Sequence, residues 1–318
     1  TKSFINLLGT HYYEVRYTPE KIFSGEVPIL SIDFISGNDA KGNKIDGDWQ
    51  NIREVISAWY KVLRMIAIIG LLSVLIYTGI KIIISANAKD KAKYKEWIIN
   101  WFLAVAILFS MHYIMSFIIS VTNEISQLLT QSCQEIIVEE IPTINQKHKT
   151  DVASDKVFTT NLMGLVRYMI QGDNWKQKIG YEVIYIALIV YTVKFTMIYL
   201  KRVLNMAFLT LIAPIVALTY PIDKINDGKA QGFDMWLKEY IFNALLQPMH
   251  MILYYILVGS SVNIAASNPL YGIVVLMFMT EAEKLLKKIF GFDKAGGGTV
   301  GGMAGAFAAG AIASNIKN

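Results

Sequence analysis

The stretch VLRMIAIIGLLSVLIYTGIKIII, residues 62–84, decides the fold. It contains 23 residues, of which two, Arg64 and Lys81, are charged. About 20 predominantly apolar residues are enough for a helix to cross the hydrocarbon core of a bilayer. We therefore predict a membrane-spanning helix here, led in by a helix that starts after Asp48. Lys81, near the end of the span, can extend its ammonium group toward the headgroups.

The composition of the whole chain agrees with a membrane protein. It is 54% hydrophobic and 17% charged, with a mean hydropathy of +0.40, whereas an ordinary soluble domain carries about 25% charged residues. We predict an all-α fold, a polytopic transmembrane helix bundle with about five to six membrane segments and a mainly helical extracytoplasmic segment. The further predicted segments are 97–121, 181–200, 203–221 and 240–264, followed by a shorter apolar run at 270–279.

Basic residues between the first two spans predict the orientation. The stretch SANAKDKAKYKEW, residues 85–97, carries four lysines and two acidic residues. Because short basic loops remain in the cytoplasm, we predict a cytoplasmic loop here and a multi-pass protein of the cytoplasmic membrane, with its N-terminal segment outside and its C-terminus inside. The lysines either set the topology alone or also contact anionic lipid or cytoplasmic partners. They are Lys89, Lys91, Lys93 and Lys95.

This orientation divides the chain into five predicted regions. Two interpretations of the last region, a Gly- and Ala-rich tail, stay open: its small residues pack helix against helix, or it is a flexible low-complexity segment. The regions are an extracytoplasmic N-terminal segment (1–58), a transmembrane hairpin with the basic cytoplasmic loop (59–121), an extracytoplasmic segment (122–178), a transmembrane core (179–292) and the C-terminal tail (293–318).

The apolar segment 203–221 contains Pro214 and Pro221, and two topologies fit it. In the first, the segment crosses the membrane, so that the polar stretch after it lies outside. In the second, it re-enters around Pro214, the polar stretch is cytoplasmic, and the last two apolar segments form a hairpin. In both, Lys201 and Arg202 mark the cytoplasmic end of the preceding span.

Polar side chains recur at helical spacing inside three spans, so each set lies on one helical face. An unsatisfied polar group in hydrocarbon costs several kcal/mol, and we expect these faces to turn toward other helices or toward a water-lined path. The residues predicted to pack helices or line a channel are Asn243, Gln247, His250, Tyr254, His112, Ser116, Ser120, Ser73 and Tyr77. Pro214, Pro221 and Pro248 are predicted helix breaks.

Two single residues have competing interpretations. Lys194 lies inside the third predicted span, where an ionisable group is functional by default, or it extends toward the end of the span. Cys133 is the one cysteine and cannot form an intrachain disulfide. The sequence carries no GxxxxGK[ST], HExxH or GxSxG motif, and we expect neither enzymatic activity nor a cofactor nor a metal site.

Three stretches of the chain begin with SAWYKVLRMIAIIG, NMAFLTLIAPIVALTYP and AEKLLKKIFGFDKA. Together they resemble the TrbL-like polytopic subunits of type IV secretion and conjugation machines, particularly those of Gram-positive conjugative elements. The resemblance covers about residues 57–116 and 180–295. Its most specific part is a proline-containing apolar segment, a short polar loop, and a tryptophan that opens an amphipathic span. The matching positions are Ala213, Pro214, Pro221, Phe233 and Trp236.

The resemblance implies an oligomeric channel or scaffold subunit that helps form the path for transfer of a DNA–protein substrate across the cytoplasmic membrane. It implies partners as well: a scaffold subunit, a secretion ATPase, a coupling protein and transient contact with the transferred DNA–relaxase complex. The alternative function is a secondary transporter or small-solute channel with its site near the helix breaks around Pro214 or Pro248. An intramembrane enzyme would need an acid/base pair or a metal cluster, which the sequence does not display.

Overall fold

The computed structural model of the chain is helical, and no residue that it describes lies in a strand. The described residues are 18–34 apart from 26, 28 and 29, 48–139 apart from 86, the positions 163, 166 and 170, and residues 175–267 and 269–289. Their helices are α1 (Pro19–Phe23), α2 (Asp48–Ile84), α3 (Ala88–Glu139), α4 (Trp175–Asp227), α5 (Gln231–Ser267) and α6 (Pro269–Ile289). The predicted all-α helix bundle is confirmed.

Three of these helices are long and apolar enough to cross a membrane. The stretches are Gln50–Ile84 in α2, Lys91–Ser132 in α3 and Lys178–Ile225 in α4. Only 17 to 28% of the most apolar part of each is buried inside the bundle. Large apolar side chains such as Ile69 and Phe117 therefore face outward. Long helices with outward apolar surfaces identify the chain as an integral membrane protein.

Helix α4 is a single helix of 53 residues, which corrects the prediction of separate segments at 181–200 and 203–221. At 1.5 Å per residue it extends about 80 Å, well beyond the ~30 Å of a hydrocarbon core. Pro214 and Pro221 lie inside it without ending it. Each proline removes one backbone hydrogen bond, and we attribute the continuity of the helix to the burial of the residues around them, such as Ala213, in the core.

Neither predicted topology is therefore right about 203–221, which neither crosses back nor re-enters. α5 and α6 pack against each other as a helical hairpin, the arrangement that the second topology predicts for the last two apolar segments. The turn between α4 and α5, residues 228–230, is short. Gly228 there adopts a positive φ of 69°, which a residue without Cβ does at little cost, and its N–H donates to the Lys224 carbonyl at 3.2 Å.

Helix α3 corrects two further boundaries. The basic run at 89–95 occupies its first two turns instead of a loop, because Ala, Lys and Glu favour helix. Its first backbone bond joins the Lys91 N–H to the Asn87 carbonyl at 3.1 Å. At its other end α3 continues through residue 121 to Glu139. The predicted extracytoplasmic segment 122–178 thus begins inside a helix of the bundle.

Buried apolar side chains form two clusters along α4, and Arg202 lies between them. The first cluster surrounds the first half of α4, up to Tyr199, and the second begins at Val203. The first joins α4 to α5, α6 and residues 22–30, through Leu188, Tyr254, Met279 and Phe23 among others. The second joins α4 to α2, α3, the start of α5 and residues 32–34, through Ala213, Leu71, Leu108, Trp236 and Phe34 among others.

Residues 18–34, which we name the strap, pack against α4 and α5. Part of the predicted extracytoplasmic N-terminal segment, residues 1–58, thus packs against the helices of the bundle. Its helix α1 starts at Pro19, preceded by Thr18, whose Oγ1 accepts the Lys21 N–H at 3.2 Å. That is the usual chemistry of a helix start, with a hydroxyl cap and proline at the first position. The predicted tail at 293–318 lies outside the described residues.

Candidate functional site

The polar face predicted on α5 is buried inside the bundle. Asn243, Gln247, His250 and Tyr254 are each at most 5% exposed. The spacing of four, three and four residues aligns them along the side of α5 that meets α4 and the strap. Polar side chains in such a place need hydrogen-bond partners, since burial without them costs about 1–3 kcal/mol each.

Arg202 of α4 donates to Gln247 and to two main-chain carbonyls on this side of α5. Its side chain is 2% exposed. Nε donates to the Asn243 carbonyl at 2.6 Å, Nη2 to the Ala244 carbonyl at 3.0 Å and Nη1 to Gln247 Oε1 at 3.0 Å. The guanidinium carbon also lies 5.2 Å from the centre of the Tyr199 ring. One planar cation thus contacts two carbonyls and one amide of α5, a geometry that a guanidinium provides and an ammonium does not.

Pro248 explains why α5 offers a carbonyl to a side chain of another helix. In an α-helix the N–H of residue 248 would bond to the carbonyl of residue 244, and proline has no N–H. The carbonyl of Ala244 therefore lacks its intrahelical donor, and Arg202 Nη2 takes that place. Within the part of the chain that the structure describes, no carboxylate pairs with this guanidinium, and carbonyl dipoles and an aromatic ring stabilise its charge instead.

The hydrogen bonds continue from Arg202 in both directions. Asn243 Nδ2 donates to Glu239 Oε1 at 3.1 Å, one turn toward the start of α5. On the other side, Gln247 Nε2 donates to the carbonyl oxygen of Phe23 in the strap at 2.5 Å. The network thus runs from a carboxylate on α5, through the guanidinium of α4, to the main chain of the strap. We name Arg202, Asn243, Gln247 and the Ala244 carbonyl the polar layer.

Phe23 itself is inserted among aromatic rings on the other side of the same contact. Its ring lies 4.9 Å from Phe195 and 5.3 Å from Tyr254, both edge-on. It is also tilted against Tyr199 at 5.9 Å and against His250 at 6.2 Å. Phe23 is fully buried, as is Ile22 before it. Edge-to-face pairs of this kind add about 0.5–1.5 kcal/mol each beyond the area they bury.

The other predicted polar faces point away from the bundle. Ser73 and Tyr77 of α2 are exposed; Ser73 Oγ donates to its own helix at the Ile69 carbonyl, 3.0 Å away. The Lys81 ammonium lies 5.6 Å from the centre of the Tyr77 ring. On α3, three predicted residues follow the same pattern, with His112 and Ser120 exposed and Ser116 half-buried.

The positions of the family resemblance meet where α4 and α5 pack. Trp236 is fully buried, and its Nε1–H donates to the Leu209 carbonyl at 2.9 Å. Its ring stacks on Phe233 at 6.1 Å, and Ala213 belongs to the same cluster. Pro214, Pro221 and Pro248 are all buried within continuous helices, so the predicted helix breaks are wrong: the structure shows no break at any of them.

The basic residues on α3 are exposed. Lys91, Lys93 and Lys95 extend from its first two turns, and the Lys93 ammonium lies 5.7 Å from the Trp97 ring centre. The side chain of Lys89 lies outside the described residues. Lys194 is half-buried over the Tyr191 ring at 5.7 Å. The described residues contain no group of three His, Cys, Asp or Glu side chains placed to hold a metal.

Sequence reasoning misses the two residues at the centre of this site. It assigns Arg202 to a helix end because that residue follows an apolar run, and it places Phe23 in an external segment. One available signal is Pro248, which indicates a carbonyl in need of a donor at residue 244. Comparison of the chain with protein-family models, with curated proteins and with solved structures gave no match.

Proposed function

We propose that this chain is a channel or scaffold subunit of a conjugative type IV secretion system in the cytoplasmic membrane. The resemblance of residues 57–116 and 180–295 to TrbL-like subunits is the observation that carries the proposal. Of its most specific positions, Ala213 and Trp236 are buried in one cluster that joins α4 to α5, and the half-buried Phe233 packs against that cluster. If the chain shares the fold of TrbL-like subunits, these three positions should pack at the same junction between helices.

The distribution of polar groups supports an assembled subunit. Asn243 and Gln247 of the α5 face are hydrogen-bonded within the chain, whereas His112 and Ser120 of α3 face outward from an apolar helix. A polar group that faces hydrocarbon costs several kcal/mol, so these residues favour contact with further copies or with partner subunits. The partners we propose are the secretion scaffold, the secretion ATPase, the coupling protein and, transiently, the DNA–relaxase substrate.

Charge supports the proposed orientation. The lysines at the start of α3 and Lys224 and Lys229 around the α4–α5 turn lie toward the same end of the bundle, because α3 and α4 run in opposite directions. Concentration of basic residues at one end favours a cytoplasmic location for that end. We propose no catalytic role for the chain; partner ATPases would supply the energy for transfer.

The transporter alternative has less support. Its site was expected at interrupted helices around Pro214 or Pro248, and both α4 and α5 continue through those prolines.

Deletion of the gene from its conjugative element tests the proposal. We expect DNA transfer to fall below detection while donor growth is unchanged, and we expect the intact gene supplied in trans to restore transfer. A matched control is the gene carrying Trp59→Ala, a change at an exposed side chain, which should restore transfer equally. Normal transfer by a clean deletion strain would refute the secretion role.

A further inference from the structure

The strap differs from the other elements in how it is connected. Residues 85–87 join α2 to α3 and residues 228–230 join α4 to α5, and a single residue separates α5 from α6. The strap reaches α2 through residues 35–47, thirteen positions rich in Gly, Asn and Asp. Thirteen residues can span at most about 43–47 Å, so the length of this connection does not by itself hold Phe23 against α4 and α5. The other end of the strap is anchored separately, because Ile32 and Phe34 are buried in the cluster that contains Leu71 of α2.

The strap is bound in the way that peptides are bound by proteins. One aromatic side chain, Phe23, fills a pocket of rings provided by Phe195, Tyr199 and Tyr254. One side-chain amide, that of Gln247, donates to a main-chain carbonyl of the strap. Phe23 is the last residue of the short helix α1, and an aromatic anchor combined with recognition of a main-chain carbonyl is a recurring way in which proteins hold short segments.

The floor beneath the strap is polar, unlike the rest of the core. Arg202, Asn243, Gln247 and His250 all lie there, each at most 5% exposed. An apolar cavity without its occupant would collapse or remain empty. A cleft floored by a guanidinium, two amides and an imidazole can admit water when its occupant leaves, because these groups exchange protein partners for water. Hydration of these groups would therefore compensate part of the cost of withdrawing Phe23 from the cleft.

We propose that the cleft between α4 and α5 is a peptide-binding site, and that the strap is its ligand within the chain. The occupant that the pocket selects is a short segment with a phenylalanine anchor and a free main-chain carbonyl at that residue. In the closed state the strap fills the site, and its withdrawal exposes the polar floor. The proposal concerns the folded chain alone and does not depend on the secretion role.

Thiol accessibility in the purified, detergent-solubilised full chain tests the proposal. A probe cysteine is introduced as His250→Cys in a Cys133→Ser background, and its rate of reaction with a water-soluble maleimide is measured. Position 250 faces Phe23 and is 1% exposed. With the strap anchored we expect slow labelling. Adding Phe23→Ala should accelerate labelling by about tenfold or more, since loss of a buried phenylalanine shifts a local opening equilibrium strongly.

A control variant separates opening of the cleft from general loosening. Phe117→Ala makes the same change at an exposed side chain of α3 and should leave the labelling rate unchanged. If the Phe23→Ala protein is not monodisperse, Phe23→Leu is used in its place. This variant keeps an apolar side chain but removes the ring contacts, and it should also accelerate labelling at position 250. If neither Phe23 variant labels faster than its parent, the strap does not close the cleft and the proposal fails.

A synthetic peptide covering residues 18–34 tests binding itself. Added to the Phe23→Ala protein, the peptide should slow labelling at position 250, because it supplies the missing anchor. The same peptide with alanine in place of phenylalanine should protect at least about tenfold less well at equal concentration. Equal protection by both peptides, or protection by neither, would overturn the assignment of a peptide-binding site.

Discussion

Arg202 donates a hydrogen bond from Nη2 to the carbonyl oxygen of Ala244, 3.0 Å away on the neighbouring helix. The carbonyl needs this donor because Pro248, four residues later, has no N–H to give. The same guanidinium bonds to the Asn243 carbonyl and to Gln247. The buried Arg202 guanidinium thus supplies the hydrogen-bond donor that α5 lacks at Pro248, and its three contacts join α4 to α5.

Replacement of Arg202 should therefore destabilise the bundle strongly. Arg202→Met retains an apolar side chain of similar length but leaves two carbonyls and one amide oxygen without this donor. We expect the free energy of unfolding to fall by about 3 kcal/mol or more. Denaturation of the purified protein with sodium dodecyl sulfate, followed by tryptophan fluorescence, measures the change.

Lys201→Met is the matched control for this substitution. It removes the adjacent positive charge from an exposed position on the same helix, and we expect a change within about 0.5 kcal/mol. Arg202→Lys should recover only part of the loss, because an ammonium lacks the planar arrangement of donors. Comparable losses for Arg202→Met and Lys201→Met would mean that the polar layer contributes little to stability.

Trp236 should contribute through its indole N–H as well as its size. Trp236→Phe removes the hydrogen bond to the Leu209 carbonyl while keeping most of the apolar surface. We expect a loss of about 1 kcal/mol for the hydrogen bond, with some added cost for the volume removed. Trp59→Phe, at a side chain that is 58% exposed, should have no measurable effect in the same denaturation experiment. If the two variants unfold alike, the Trp236 contact is not a determinant of the α4–α5 junction.

Gly70 allows α2 to approach α4 closely. A Cβ atom at this position would lie 2.8 Å from both terminal methyl groups of Leu218, whereas a Cβ at Gly79 on the same helix would meet nothing within 4 Å. Gly70→Ala should lower the free energy of unfolding by about 1–2 kcal/mol relative to Gly79→Ala. Leu218→Ala, introduced together with Gly70→Ala, should reduce that difference. A Gly70→Ala protein as stable as the Gly79→Ala protein would show that the helices are not in contact there.

The helices themselves could be predicted because their signal is local. The apolar run at 62–84 and the helix lead-in after Asp48 follow from hydropathy and periodicity, and α2 contains both. The polar face of α5 was likewise visible from spacing alone, since residues three and four apart share a face of any helix. That this face is buried depends on its neighbours, and the spacing was compatible with a water-lined path as well.

The continuity of α4 and the burial of the strap were harder to predict, because both depend on contacts between residues that are far apart in the sequence. Prolines at 214 and 221 and the pair Lys201–Arg202 are local signals for a helix end, and tertiary packing overrides them in α4. The strap is held by a hydrogen bond between Phe23 and Gln247, which are 224 positions apart. No local pattern in an N-terminal segment of mixed polarity indicates that it contacts a residue so far along the chain.

The double-mutant cycle of Arg202→Met and Pro248→Ala tests most directly whether the guanidinium replaces the missing N–H of the proline. Alanine at position 248 restores an N–H that can reach the Ala244 carbonyl, so one of the three Arg202 contacts becomes dispensable. The four proteins are compared by their free energies of unfolding under identical conditions. We predict that Arg202→Met costs about 1–2 kcal/mol less in the Pro248→Ala background than in the native one. An equal cost in both backgrounds would contradict the account.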